Sequence, residues 1–152
     1  MLAEDCPFCQ LLRGEGPAHR IAEDEHTLAF LDQRPINPGH LLVIPKQHAP
    51  DFFMLEDLAY DALMRSVKRL AAMVDAVTHP KKVGVVIAGF DVPHTHVHLI
   101  PMHEYHDITS QAYSDPDRVL PTDAQQQEMA ARLRQQVSQQ SSPPTDIGAG
   151  GN

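Results

Sequence analysis

The sequence predicts an α+β domain built on an antiparallel sheet, and three observations predict it. Two strand-length apolar runs flank a Pro- and Gly-rich turn in the first third of the chain. One long stretch with helical periodicity follows. Two further strand-like runs come next, again separated by a short connection, so the order reads hairpin, helix, hairpin.

Residues 6–13 mix Phe8, Leu11 and Leu12 with small polar groups and break at Gly14-Glu15-Gly16-Pro17, which predicts a short helix or turn. Residues 27–31 form the first strand and residues 40–44 the second. Between them, Pro35, Pro38 and Gly39 exclude regular structure, and Pro45 stops the second strand. From Leu55 the period changes. Ala59, Leu63, Val67, Leu70, Val74 and Val77 recur at steps of three and four, the stripe of an amphipathic helix that Pro80 ends. Glu56, Asp57 and Asp61 near its start, with Lys68 and Arg69 further along, suit the helix dipole. Residues 83–88 are β-branched and strand-like, and residues 94–100 alternate strictly. A polar helix is expected from Thr122 through Val137. Residues 138–152, rich in Gln, Ser, Pro and Gly, are expected to be a disordered tail, leaving one domain over residues 1–137.

Composition excludes several function classes. The 152 residues carry 20 acidic and 12 basic side chains, a formal charge of −8, which argues against a nucleic-acid partner held by phosphate contacts. No apolar run approaches the roughly 20 residues of a spanning helix, so no membrane partner is expected. The first residues lack a basic segment followed by an apolar one, so no secretory leader is expected and the reading is cytoplasmic. Cys6 and Cys9 do not make a disulfide framework. Histidine is the anomaly, with ten in the chain and five between His94 and His106.

In a strand over 94–100, period two places His94, His96 and His98 on one face. Three chemistries suit such a face. It can be a solvated polar surface, a metal cluster for zinc or iron, or a nucleophilic site, since a neutral imidazole attacks well near pH 7. The His-x-His-x-Asp-His pattern of one class of metallohydrolases is not met, because no Asp stands in the run.

The run His94-Thr95-His96-Val97-His98-Leu99-Ile100 resembles the signature of the histidine triad (HIT) superfamily, and Ala88-Gly89-Phe90-Asp91-Val92-Pro93 resembles that family's approach to the triad. Cys6-Pro7-Phe8-Cys9, residues 28–32, and Asn37 through His48 are similar to its N-terminal half in the same order, so the resemblance spans residues 3–105. It implies the HIT fold, a five-stranded antiparallel sheet with helices that dimerises into a ten-stranded sheet. It also implies a nucleotide substrate, with purine preferred, attacked at its α-phosphate through a nucleotidyl-histidine intermediate on His96 to release a nucleoside monophosphate. His98 would donate to a phosphate oxygen, and His40 would lie behind the nucleophile and support it. Asp32 would take the ribose hydroxyls, and Phe8, Leu11 and Phe30 would line the base pocket.

One departure concerns Phe90-Asp91, which stand where relatives often carry Gln and a hydroxyl residue. An ionised Asp91 repels phosphate, and so either turns away or meets a cationic part of the substrate. By the same resemblance, Cys6, Cys9, His48 and His94 would form a closed structural zinc site, with no organic cofactor. Reduced thiols in an ordinary core are the alternative. Two other functions remain open at this point: a nucleotide-binding regulatory module with incidental activity, and a zinc metallohydrolase using all three triad histidines as ligands. His103 and His106 are given no role.

Overall fold

The computed structural model describes residues 2–108 and 116–140. Helix α1 (Pro7–Leu12) opens on a proline, whose missing N–H costs nothing in a first turn. Strands β1 (Arg20–Glu23), β2 (Thr27–Leu31) and β3 (Leu41–Pro45) come next, then helix α2 (Asp57–Thr78), strands β4 (Lys82–Val86) and β5 (Val97–Met102), and helix α3 (Asp123–Gln140). Short 3₁₀ turns occur at Phe52–Met54 and Tyr105–Ile108. The strands form one antiparallel sheet in the order β1-β2-β3-β5-β4, the five-stranded α+β arrangement expected. Strand β1 has no clear signal in the sequence, being four residues long with a charge at each end.

Alternation along the central strands divides the core in two. Ala29, Leu31, Leu41, Val43, Val97 and Leu99 face helix α2, meeting Leu63, Val67, Leu70, Met73, Val74 and Val77, with Ala130 and Leu133 of α3. Leu28, Phe30, Leu42 and Ile44 take the opposite face, where Phe8 and the two cysteines cover them. Both faces of β2 and β3 are therefore buried, which explains why these strands read as continuous apolar runs. Helix α2 is closed by His79 in the left-handed conformation, its N–H bonded to the Asp75 carbonyl, with Pro80 next in the chain.

Several boundaries differ from expectation: β3 takes in Pro45 and begins at Leu41 rather than His40, and β4 covers 82–86 rather than 83–88. Strand β5 begins at Val97, not His94: its ladder with β3 closes at Val43↔Val97, although β3 itself runs on to Pro45. Residues before it take loop partners instead: the His94 N–H donates to the Val92 carbonyl and the Thr95 N–H to the Ala49 carbonyl at 2.7 Å. Strand β5 also runs on through Pro101, which lies beyond the last β3 partner, where β4 alone flanks it and a missing donor is tolerated. Helix α3 extends three residues past the expected end at Val137, with Ser138 Oγ bonded back to the Arg134 carbonyl. Residues 141–152, the rest of the expected tail, lie outside the described residues.

Gly39, entering β3, has φ +93°, and a Cβ there would stand 2.6 Å from Thr78 Cγ2. Gly39→Ala therefore combines left-handed strain with overpacking against α2, and is expected to destabilise by about 2–4 kcal/mol. Urea unfolding measures this directly; a loss below about 0.5 kcal/mol contradicts the close approach.

Candidate functional site

The alternation that builds the core also builds the site. His98 pairs in register with Leu42, on the face that carries Phe30, and α1 only partly covers that face. What remains is a cavity of about 530 Å³ lined by Phe8, Leu11, Phe30, Asp32, Asp91, His96 and His98. Seven residues singled out from the sequence thus meet in one hollow. Phe8 stacks edge-on against both Phe30 (5.6 Å between centroids) and His96 (5.2 Å). Asp91 lines the cavity, whereas its neighbour Phe90 is 96% exposed.

Hydrogen bonds assign the tautomers. His96 Nδ1 lies 2.7 Å from the His94 carbonyl oxygen, which can only accept. A proton therefore sits on Nδ1, and in the neutral ring the lone pair is on Nε2. On the next histidine the polarity reverses. The Ile36 N–H donates to His40 Nδ1 (3.1 Å), so the proton of His40 is on Nε2, which donates to His98 Nδ1 (3.0 Å). His98 in turn carries its proton on Nε2. His40, which immediately precedes β3, thus contacts His98, the sheet partner of Leu42. Asp32 accepts from the Arg34 N–H at 2.7 Å, and its other oxygen lies 3.6 Å from His40 Nε2, farther than His98. Buried Gln126 on α3 holds the Asp32 carbonyl at 2.7 Å, a contact that no motif announced.

Burial pushes His40 and His98 down to about 4, and the nearby Asp32 carboxylate opposes that shift in each. In the unfolded chain an imidazole titrates near 6.5. Between those values the unfolded chain binds more protons, so these two groups stabilise the fold fully above about pH 6.5 and progressively less as pH falls toward 4. Urea midpoints taken across that window should fall with pH. His40→Asn should flatten the acid limb; an unchanged limb contradicts the assignment.

A second cluster lies behind the triad. Cys6 Sγ and Cys9 Sγ each lie 3.5 Å from His94 Nδ1, Cys9 Sγ is 3.4 Å from His48 Nδ1, and the two Nδ1 atoms are 3.3 Å apart. His94 Nε2 donates to the Pro45 carbonyl (2.9 Å), which leaves its Nδ1 lone pair facing the sulfurs. These four residues can hold a metal ion. Among the described residues the three triad histidines do not share one metal position: His94 groups with the cysteines and His48, His98 with Asp32 and His40, and His96 with neither. His103 and His106 are exposed on the turn after β5.

A family model described as HIT domain matches residues 13–105. An uncharacterized HIT-like protein of Methanocaldococcus jannaschii is 40% identical over 109 residues, covering 65% of this chain and 80% of its own. The adenosine 5′-monophosphoramidase hnt1 of Schizosaccharomyces pombe is 36% identical over 101 residues, 63% of this chain and 73% of its own. Among solved structures, a Zn-bound histidine triad family protein from Mycobacterium smegmatis superposes with a TM-score of 0.72 at 27% identity, covering 90% of this chain and 95% of that one. The match runs from the end of α1 through the triad and past β5, more than half of the chain, and this protein belongs to the HIT domain family.

Proposed function

We propose that the chain is a nucleotide hydrolase or nucleotidyltransferase that acts on a nucleotide derivative with a leaving group on its α-phosphate, a phosphoramidate or a dinucleoside polyphosphate. The observation that carries this reading is the 2.7 Å bond from His96 Nδ1 to the His94 carbonyl, which makes Nε2 the lone-pair nitrogen of the neutral ring in a residue that lines the cavity. Attack by Nε2 on the α-phosphorus forms a P–N bond and expels the leaving group with its electron pair. Water then breaks the P–N bond, releasing a nucleoside monophosphate and restoring His96. His98 Nε2–H donates to a non-bridging oxygen as charge develops there, and His40 fixes that donor by holding His98 Nδ1. Asp32 takes the ribose hydroxyls, and Phe8, Leu11 and Phe30, which line the cavity, pack against the base. The monophosphoramidase name of the fission-yeast relative is consistent with this chemistry.

Release of AMP from adenosine 5′-phosphoramidate tests the reading, with diadenosine polyphosphates run in parallel. Turnover of either supports it. Binding of AMP with no turnover of any of them favours a nucleotide-binding module instead.

The metal ion is proposed to be zinc. A tetrahedral site with Zn–S near 2.3 Å and Zn–N near 2.05 Å has S···N edges of about 3.6 Å and N···N edges of about 3.3 Å. The Cys6–His94, Cys9–His94, Cys9–His48 and His48–His94 spacings match those edges within about 0.2 Å. Four protein ligands close the site, so the ion would tie α1, the end of β3 and the triad segment together without touching substrate. We further propose a cytoplasmic homodimer. Strand β4 is a sheet edge with Val85 49% exposed, and pairing it with its copy would give ten strands. No described helix is long and apolar enough to cross a membrane.

A further inference from the structure

The reaction read above requires positive charge that its histidines do not bring. His40 accepts from the Ile36 N–H and His98 accepts from His40, and an imidazolium accepts nothing, so both rings are neutral in this arrangement. An entering phosphate also meets carboxylates. Asp32 and Asp91 line the cavity with Glu15, although the Arg13 guanidinium holds Glu15 at 2.9 Å. Among the described residues two cations line the same cavity, Arg34 and Arg118. Arg34 is exposed, on the turn whose backbone N–H serves Asp32. Arg118 is half-buried, and its charge reaches His40, whose protonation it opposes. Its guanidinium therefore acts on the His40–His98–Asp32 group that stands beside His96.

We propose that Arg118 binds the α-phosphate of the nucleotide and supplies the fixed positive charge of the site. The proposal rests on the nucleotide reading above and adds to it a residue beyond the family match, which ends at residue 105. A planar guanidinium suits the task because it can engage two non-bridging oxygens at once and never loses its proton. Its route into the cavity is the segment leading to α3, which is anchored to the site by the bond from Gln126 to the Asp32 carbonyl.

Binding of AMP and of adenosine to the full chain, measured by calorimetric titration for wild type, Arg118→Gln and Arg118→Lys, tests this. The two ligands differ only in the phosphate. Wild type should bind AMP about ten-fold or more tightly than adenosine, the scale of one hydrogen bond to a charged group. Arg118→Gln should erase most of that preference while leaving adenosine affinity unchanged, and Arg118→Lys should restore part of it. A preference for AMP that survives in Arg118→Gln overturns the proposal. Equal loss of AMP and adenosine binding also overturns it, since Arg118 would then only hold the pocket together. If wild type binds neither ligand, the nucleotide reading itself fails, and this role for Arg118 fails with it.

Discussion

His96→Ala is expected to abolish AMP release, lowering kcat on the order of 10⁴-fold or more, while the protein stays folded and still binds AMP. The size of the loss follows from what the ring does. In the proposed mechanism Nε2 forms the bond to phosphorus, and neither neighbour can replace it. The proton of His98 is on Nε2, which makes it a donor, and His94 Nδ1 faces the two cysteines. Ground-state binding is expected to survive, because Phe8, Leu11, Phe30 and Asp32 line the same cavity independently of His96. Steady-state kinetics with a parallel AMP titration separate the two. A variant that keeps more than about a tenth of the wild-type kcat contradicts the nucleophile assignment.

Cys9→Ser is expected to release the bound metal and to lower Tm by about 8–16 °C. The estimate takes an ion held at about a thousand times its Kd, worth about 4 kcal/mol, and about 2–4 °C per kcal/mol for a chain of this size. Cys9 is fully buried, and its sulfur faces both His48 and His94. The consequence extends to the active site, because the carbonyl of His94 is the group that pins His96 Nδ1. Loss of the ion should therefore lower activity as well as stability. Elemental analysis and calorimetric melting check the prediction together. Unchanged metal content and Tm contradict the site.

Much of this was legible in the sequence for identifiable physical reasons. Helix α2 declares itself because Leu63, Val67, Leu70, Val74 and Val77 all pack on one sheet face, so their spacing records the contact. The β2–β3 hairpin is legible because burial on both faces removes polar residues from it. The start of β5 was not. Strict alternation in residues 94–96 suggests a strand, but the ladder with β3 closes at Val43↔Val97 although β3 itself runs on to Pro45, and residues 94 and 95 bond to loop carbonyls instead. The same gap let the Thr95 N–H and Oγ1 dock on the Ala49 carbonyl and turned the His94 carbonyl toward His96. Arg118 and Gln126 carry no local signal at all. Each is an ordinary polar residue near or on a helix, and its proximity to Asp32 arises only from how α3 packs across the sheet.

The most direct test of the central claim is to trap the intermediate. Wild-type protein mixed with adenosine 5′-phosphoramidate, quenched during turnover under conditions that preserve P–N bonds, would be digested and read by mass spectrometry. An adenylyl group on the peptide carrying His96, absent from the His96→Ala variant, is the expected result. Rapid AMP release with no adduct, or an adduct on another residue, would contradict the account.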